Sequence, residues 1–139
     1  MEFFDSNGHA VCYVTQTGRI YSWDGRPLAT RKGDKVHTCD GEFVGWIRHG
    51  YLINEKGECC LFTQGADTKC GPYPPDRRPR PSRGTQQPFP ELKDRRPAPS
   101  FPGVSRDWGR NPFRKSLLQR LADRYFGSRR YSTSTVAQT

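Results

Sequence analysis

The sequence predicts an all-β fold: four tandem antiparallel β-hairpins in a shallow barrel of pseudo-fourfold symmetry, then a linker and one C-terminal amphipathic α-helix. Three observations predict it. A glycine recurs every 16 or 17 residues, apolar segments flank each of these glycines, and the composition changes near residue 71. The predicted units are a hairpin domain over residues 1–68, a disordered Pro/Arg-rich linker over 69–110, the helix over 111–127 and a disordered end over 128–139.

The repeated unit has the chemistry of a type I turn. A short polar residue stands three positions before each glycine and can cap the turn, while glycine takes the positive φ at its last position. The glycines are Gly8, Gly25, Gly41 and Gly57, and the capping residues are Asp5, Ser22, Thr38 and Asn54. This pattern predicts a three-residue hairpin loop with a glycine bulge.

The strand register follows from the loop length. A three-residue loop sets the residue five before each glycine opposite the residue three after it, and all four pairs are then apolar. These pairs, the expected apolar centre or core, are Phe3–Val11, Ile20–Leu28, Val36–Val44 and Leu52–Cys60. With a two-residue loop, the first residues of these pairs would instead face Cys12, Ala29, Gly45 and Leu61. These partners match the apolar pattern less well, so we favour the three-residue loop.

The hairpins must pack together, because a single hairpin cannot bury its face alone. A second set of glycines turns the chain between units: Gly18, Gly33, Gly50 and Gly65. The position five after each first-set glycine is aromatic in three units and is expected to pack between neighbouring hairpins: Tyr13, Thr30, Trp46 and Phe62. A closed ring of four hairpins leaves no exposed sheet edge, so closure is favoured.

These units carry a resemblance to a known family. The segments Ile20–Gly25, Val36–Gly41 and Gly41–Ile47 resemble the bacterial four-fold β-flower family, whose fold is a shallow, radially symmetric barrel distantly similar to Tubby-like lipid-binding domains. The resemblance covers about residues 2–66 and not the tail. It implies a fold and, by analogy alone, a ligand class. Lys56, where Asp or Asn is usual, and Pro27, in a strand, depart from the pattern.

The charge distribution and the cysteine content indicate which partners and which cellular location to expect. Residues 1–71 hold 8 Lys+Arg and 9 Asp+Glu, whereas residues 72–139 hold 15 and 5, so the net charges are −1 and +10. No segment is long and apolar enough to span a membrane, and we expect no secretory leader, because strand-like residues begin at Phe3 and Phe4. The odd number of cysteines follows no disulfide framework. We therefore expect a cytoplasmic protein, with a peripheral position on the membrane left open.

The segment over residues 72–103 shows no apolar period, and eleven of the twelve prolines lie beyond residue 71. Such composition is typical of a disordered or polyproline-like spacer. An alternative is that Arg77-Arg78-Pro79-Arg80-Pro81 is a ligand for an aromatic groove.

The last predicted element is a basic amphipathic helix. Asn111 can cap it, Pro112 fits its first position and Gly127 suits its end. Its apolar face is Phe113, Leu117, Leu118, Leu121 and Tyr125, and its basic face is Arg114, Lys115, Arg120 and Arg124. Its apolar stripe could cover the hairpin domain, an anionic membrane surface or a groove in a partner protein.

Catalytic and metal chemistry is not predicted. No Cys-x-x-Cys pair occurs, and His9 with Cys12, His37 with Cys39, and Cys59 with Cys60 take unrelated positions in the repeat. Asp5, Asp24 and Asp40 belong to turns, which explains them better than paired catalytic carboxylates. We expect no enzyme activity, cofactor or metal.

The expected function is a non-enzymatic binding or anchoring module that uses the hairpin domain and the basic helix toward a membrane surface or partner protein; self-association is a further option. The alternative is an accessory nucleic-acid binder. In that hypothesis the basic tail contacts phosphates and its aromatic rings stack on bases. Those rings are Phe101, Trp108, Phe113, Tyr125 and Tyr131.

Overall fold

The computed structural model describes residues 1–113, and within them the fold is a closed barrel of eight antiparallel strands. The strands are β1 Glu2–Phe4, β2 Ala10–Val14, β3 Arg19–Ser22, β4 Pro27–Lys32, β5 Lys35–Thr38, β6 Phe43–Arg48, β7 Tyr51–Ile53 and β8 Cys59–Phe62. They follow one another around the barrel in chain order, and Phe4 opposite Phe62 closes β1 on β8. The all-β, four-hairpin prediction is confirmed. The described residues contain no helix of the length and apolarity that a membrane span requires.

The hairpin turns have the predicted three-residue loops. In the first hairpin the N–H of Gly8 donates to the carbonyl oxygen of Asp5 at 2.9 Å, and the N–H of Asp5 donates to that of His9 at 2.9 Å. Asp5 Oδ1 also accepts the N–H groups of Asn7 and His9. The other three hairpins repeat the two backbone bonds at 2.8–3.0 Å. The short polar residue therefore caps the turn as predicted.

The register beyond the loop differs from the prediction. Phe4 lies opposite Ala10, as a three-residue loop requires, but Phe3 then lies opposite Cys12 and not Val11, because the register shifts between Phe3 and Phe4. The other hairpins shift at the same place, pairing Ile20 with Ala29, Val36 with Gly45 and Leu52 with Leu61. The predicted four pairs are therefore wrong.

A β-bulge in each hairpin explains this error. A bulge sets two residues of one strand against a single residue of the partner strand. The extra residues are Val11, Leu28, Val44 and Cys60, and all four belong to the apolar cluster or pack against it. In three of the hairpins the next residue, Cys12, Ala29 or Leu61, belongs to the same cluster. Because both bulge residues of these hairpins face the core, apolar pairing alone could not decide the register.

The connections between hairpins explain the uneven spacing of the glycines. The first connection closes through Thr15, whose N–H donates to the carbonyl oxygen of Arg19, and so holds three residues. The third holds two, because Arg48 pairs directly with Tyr51. His49 and Gly50 both have positive φ there, 57° and 83°, as a type I′ turn requires. The longer first connection adds the residue that makes the first spacing 17.

The tail has a defined course along the barrel. Residues 72–113 contain neither helix nor strand, apart from an isolated bridge between Trp108 and Cys59. The tail nevertheless bonds to every hairpin tip, beginning with the N–H of Arg78, which donates to the carbonyl oxygen of Gly8 at 2.9 Å. The expectation of a disordered linker over 69–110 did not foresee these contacts. Low apolar content limits a segment's own core, but it does not prevent packing on an existing sheet.

Aromatic residues on the outer face of the barrel meet the tail. The prediction that one aromatic position packs between hairpins is confirmed, since Tyr13 lies opposite Tyr21 of the next hairpin and Phe62 lies opposite Phe4. Tail rings add a second layer: Phe89 packs on Tyr21 with ring centroids 5.2 Å apart. Phe101 packs on Trp46 and Trp108 on Phe62 in the same way.

Candidate functional site

The apolar centre lies inside the barrel. Its cluster takes residues from all eight strands, and all eight residues predicted for it belong to it or pack against it. Phe3, Ile20, Val36, Leu52 and Cys60 are at most 3% exposed and form core. The bulge residues Val11, Leu28 and Val44 are only half-buried. We call these three residues the apolar mouth, because they are the part of the cluster that solvent or another segment can reach.

Phe113 packs against this cluster. Its N–H donates to Oδ1 of Asn111 at 2.9 Å, the bond that a helix N-cap makes with the second helical residue. A cavity of about 370 Å³ adjoins the contact. The cavity lining includes Val11, Leu28, Asn111 and Phe113. The first predicted residue of the helix's apolar face therefore meets the mouth.

The remaining helix residues lie outside the part of the chain that the structure describes, so the helix over 111–127 stays a prediction. On the apolar face these are Leu117, Leu118, Leu121 and Tyr125; on the basic face, Arg114, Lys115, Arg120 and Arg124; at the end, Gly127.

The rim of the cavity is polar. Ser22 donates its hydroxyl to Asp24, and Arg26 Nε lies 3.4 Å from Asp24 Oδ1. Burial alone would raise the pKa of Asp24, but these two partners outweigh burial and lower it. The other acid at the rim, Asp5, accepts two backbone N–H groups of its turn. The two carboxylates thus have separate structural roles, one in each turn.

Many basic residues of the tail are held by the barrel. Arg80 and Arg83 both pair with Glu2, with Arg83 Nη2 at 2.5 Å from Oε2. Arg83 also lies over the ring of Tyr13, 3.9 Å from its centroid. Arg106 donates to three backbone carbonyls over residues 68–71. These contacts were not predicted from the sequence, although Arg-Pro or Gln-Pro recurs every nine residues at Pro79, Pro88 and Pro97.

Potential metal ligands meet outside the barrel. Nδ1 or Nε2 of His49, a carboxylate oxygen of Asp67 and Sγ of Cys70 all lie within 4.8 Å of one another. His49 and Asp67 are exposed and Cys70 is partly exposed. The sequence analysis singled out other His and Cys pairs and not this group. Its members are placed by backbone hydrogen bonds from the N–H of Asp67 to the carbonyl oxygen of His49 and from the N–H of Cys70 to that of Asp67.

Three of the five thiols are inert by burial. Burial raises the pKa of Cys12 and of Cys59 to about 12 and that of Cys60 to about 11. A thiol with such a pKa carries almost no thiolate at neutral pH, so it is neither a nucleophile nor a ready metal ligand. All three cysteines are buried and act as small apolar core residues, and Cys60 is one of the residues predicted for the apolar centre.

Comparison with known proteins identifies the family. No curated protein and no solved structure matches the chain. A family model matches residues 1–117 and so includes the tail as far as residue 117, which corrects the expectation that the resemblance ends near residue 66. That model is described as the 4-fold beta flower protein, and the chain belongs to this family.

Proposed function

We propose that the protein is a non-enzymatic anchoring module, in which the barrel holds the start of a basic amphipathic segment and this segment binds an anionic membrane surface. The observation that carries the proposal is the contact of Phe113 with the interior cluster at the apolar mouth. It attaches the start of residues 111–127 to the barrel. In this proposal the protein is cytoplasmic and peripheral to the membrane.

The shape of the mouth supports a binding role. Val11, Leu28 and Val44 stay half-buried in a barrel whose other cluster residues are almost fully covered. An apolar surface with a polar rim and a neighbouring cavity is the usual form of a binding site. One aromatic side chain of the chain itself is already bound there. The mouth therefore has the size and chemistry to hold the first apolar residue of an amphipathic segment.

The sequence that follows Phe113 supports the membrane part of the proposal. Residues 114–139 hold 6 Lys+Arg and 1 Asp+Glu. Leucines at helical spacing with flanking cations are typical of segments that lie in the headgroup region of an anionic bilayer. If Phe113 is bound at the mouth, the remaining apolar residues are Leu117, Leu118, Leu121 and Tyr125, and they need another surface.

The contacts of the tail disfavour the nucleic-acid alternative. Stacking on bases needs free aromatic faces, but Phe101 and Trp108 pack on barrel rings. Phosphate binding needs free cations, and the carboxylate that Arg80 and Arg83 share, that of Glu2, compensates part of their charge. Nucleic-acid binding is thus an outcome that the experiment must distinguish.

The test uses the full chain and vesicles of anionic or neutral phospholipid. We expect binding to anionic vesicles that weakens but survives at moderate salt. Replacing Leu117, Leu118 and Leu121 by Ser should weaken it by at least about tenfold, because each buried leucine side chain contributes about 1.5–3 kcal/mol. Leu92→Ser, at a leucine 45% exposed in the described tail, is the matched control and should bind normally.

Phe113→Ala tests the observation on which the proposal rests. It should weaken vesicle binding severalfold while leaving the barrel folded, because the segment keeps its leucines but loses its place on the mouth. Equal binding by the triple leucine variant would refute the proposal. Binding to DNA or RNA that ignores those leucines and disappears with salt would favour the alternative.

A further inference from the structure

The tail carries a sequence repeat of its own. From residue 76 its nine-residue segments read DRRPRPSRG, TQQPFPELK, DRRPAPSFP and GVSRDWGRN. Proline follows the third residue of the first three segments. The last segment departs from this pattern, since Arg106 stands where the others have proline. The barrel repeat is 16 or 17 residues long and the tail repeat is nine residues long, but each of them occurs four times.

The two repeats meet in register at the hairpin tips. The third residue of each tail repeat donates its N–H to the carbonyl oxygen of one tip glycine, at 2.8–2.9 Å in all four hairpins. The donors are Arg78, Gln87, Arg96 and Ser105, and the acceptors are Gly8, Gly25, Gly41 and Gly57. Nine residues of tail thus span the same quarter turn as one hairpin.

A second set of contacts has the same period. The N–H of Gly84 donates to the carbonyl oxygen of Trp23 at 3.0 Å, and the N–H of Lys93 donates to that of Cys39 at 3.1 Å. Trp23 and Cys39 are equivalent positions of successive hairpins, and Gly84 and Lys93 are nine residues apart. The match between the barrel repeat and the tail repeat therefore includes more than one hydrogen bond per tip.

The glycines at the tips make room for this backbone. A Cβ on Gly8, Gly25, Gly41 or Gly57 would meet a tail carbonyl oxygen at less than 3.0 Å. Those oxygens belong to the first residue of each repeat: Asp76, Thr85, Asp94 and Gly103. The tip glycine supplies the positive φ of the turn, a carbonyl acceptor and a flat surface for an extended peptide.

We propose that the four hairpin tips form a peptide-binding ring with four equivalent subsites, and that the tail is a separable ligand built into the chain. The ring recognises an extended peptide whose backbone N–H and C=O groups recur every nine residues. In three of the four subsites the donor precedes a proline, which holds that donor in an extended conformation. The individual subsites bind weakly, and their linkage at matched spacing supplies the affinity. The tail of a second copy presents the same groups and is the natural competitor.

The test begins with the full chain carrying a protease site inserted between Pro74 and Pro75, where the link precedes the first repeat. After cleavage the two pieces should remain together on a sizing column, with the barrel still folded by circular dichroism. A labelled peptide of residues 76–105 should then displace the cleaved tail and bind the ring. Dissociation with unfolding of the barrel, or failure of the peptide to exchange at all, would overturn the proposal.

Register is tested with a second peptide, which carries two glycines inserted between Ser82 and Arg83. The insertion keeps every side chain of the peptide. It lengthens the spacing between the part that binds the first subsite and the part that binds the other three. We expect its affinity for the ring to fall by about tenfold or more, because it loses the gain from linkage. The matched control adds the two glycines before Asp76 and should bind normally. Equal affinity for both peptides would mean that the tail packs without register and would also overturn the proposal.

Discussion

Trp23 donates its indole Nε1–H to the carbonyl oxygen of Pro81 at 2.7 Å, across 58 residues of sequence. The bond joins a hairpin tip to the tail, and the backbone bond from Gly84 to the carbonyl oxygen of Trp23 lies beside it. Trp23 is 8% exposed, so its N–H needs a partner inside the protein. The tail thereby completes the hydrogen bonding of the barrel surface.

Trp23→Phe should therefore destabilise the full chain by about 1–2 kcal/mol, because it removes this bond and part of a buried ring. Urea unfolding measures the loss. Trypsin should also cut the Arg83–Gly84 bond faster. Tyr73→Phe, at a tyrosine 83% exposed, is the control and should leave both measurements unchanged. A variant with normal stability and normal cleavage would show that the bond does not hold the tail.

Two glycine substitutions separate backbone strain from contact with the tail. Gly33 has φ +63°, and a Cβ added there would meet no atom within 4 Å, so Gly33→Ala should cost about 1–2 kcal/mol through strain alone. Gly41 has φ +88°, and a Cβ there would also collide with the carbonyl oxygen of Asp94. Gly41→Ala should cost about 3 kcal/mol or more in urea unfolding. Equal losses would mean that the tail does not press on the tip.

The pairing of Glu2 with the tail predicts a pH dependence. Burial raises the pKa of Glu2, but the hydrogen bonds and charges of Arg80 and Arg83 outweigh burial and hold it below its ordinary value of 4.5. A lowered pKa in the folded state means that the pairing stabilises the fold above pH 4.5, and that this stabilisation is lost as the pH falls through the folded pKa.

Urea unfolding at several pH values on either side of 4.5 measures this effect. Glu2→Gln should be less stable than the natural protein near neutral pH, and the difference should shrink as the pH falls. Glu55→Gln, at an exposed turn residue, is the control and should not show this convergence. A difference that is constant with pH would contradict the assignment.

Thiol reactivity should divide the cysteines into two groups. Cys12, Cys59 and Cys60 are at most 2% exposed, whereas Cys39 and Cys70 are partly exposed. Burial and a neighbouring aspartate raise the pKa of Cys39 and of Cys70, so both need mildly alkaline pH to form thiolate. In the folded protein at that pH, these two thiols should react with Ellman's reagent in a rapid phase, and all five should react in denaturant. A Cys39→Ser, Cys70→Ser double variant should lose the rapid phase. A third rapid thiol would show that the interior opens.

The sequence by itself determined the repeated unit. The spacing of the tip glycines and their polar capping residues predicted the four hairpins and their three-residue loops, because turn chemistry acts over only a few residues. It also named eight residues that lie in or against the apolar centre, but not the cluster members Cys12, Val14, Ala29, Ile47 and Leu61. The prediction of the register failed. With a bulge both Val11 and Cys12 face the core, so the apolar pattern fits either residue as the partner of Phe3.

Only the tertiary structure decided where the tail lies. A segment rich in proline and arginine has no apolar period to predict a partner, and its contacts are mostly backbone hydrogen bonds and rings that meet distant residues. The sequence also did not predict that His49, Asp67 and Cys70 lie close together. The physical reason is the same in both cases: closing the barrel brings together residues far apart in sequence, and local patterns do not encode such distances.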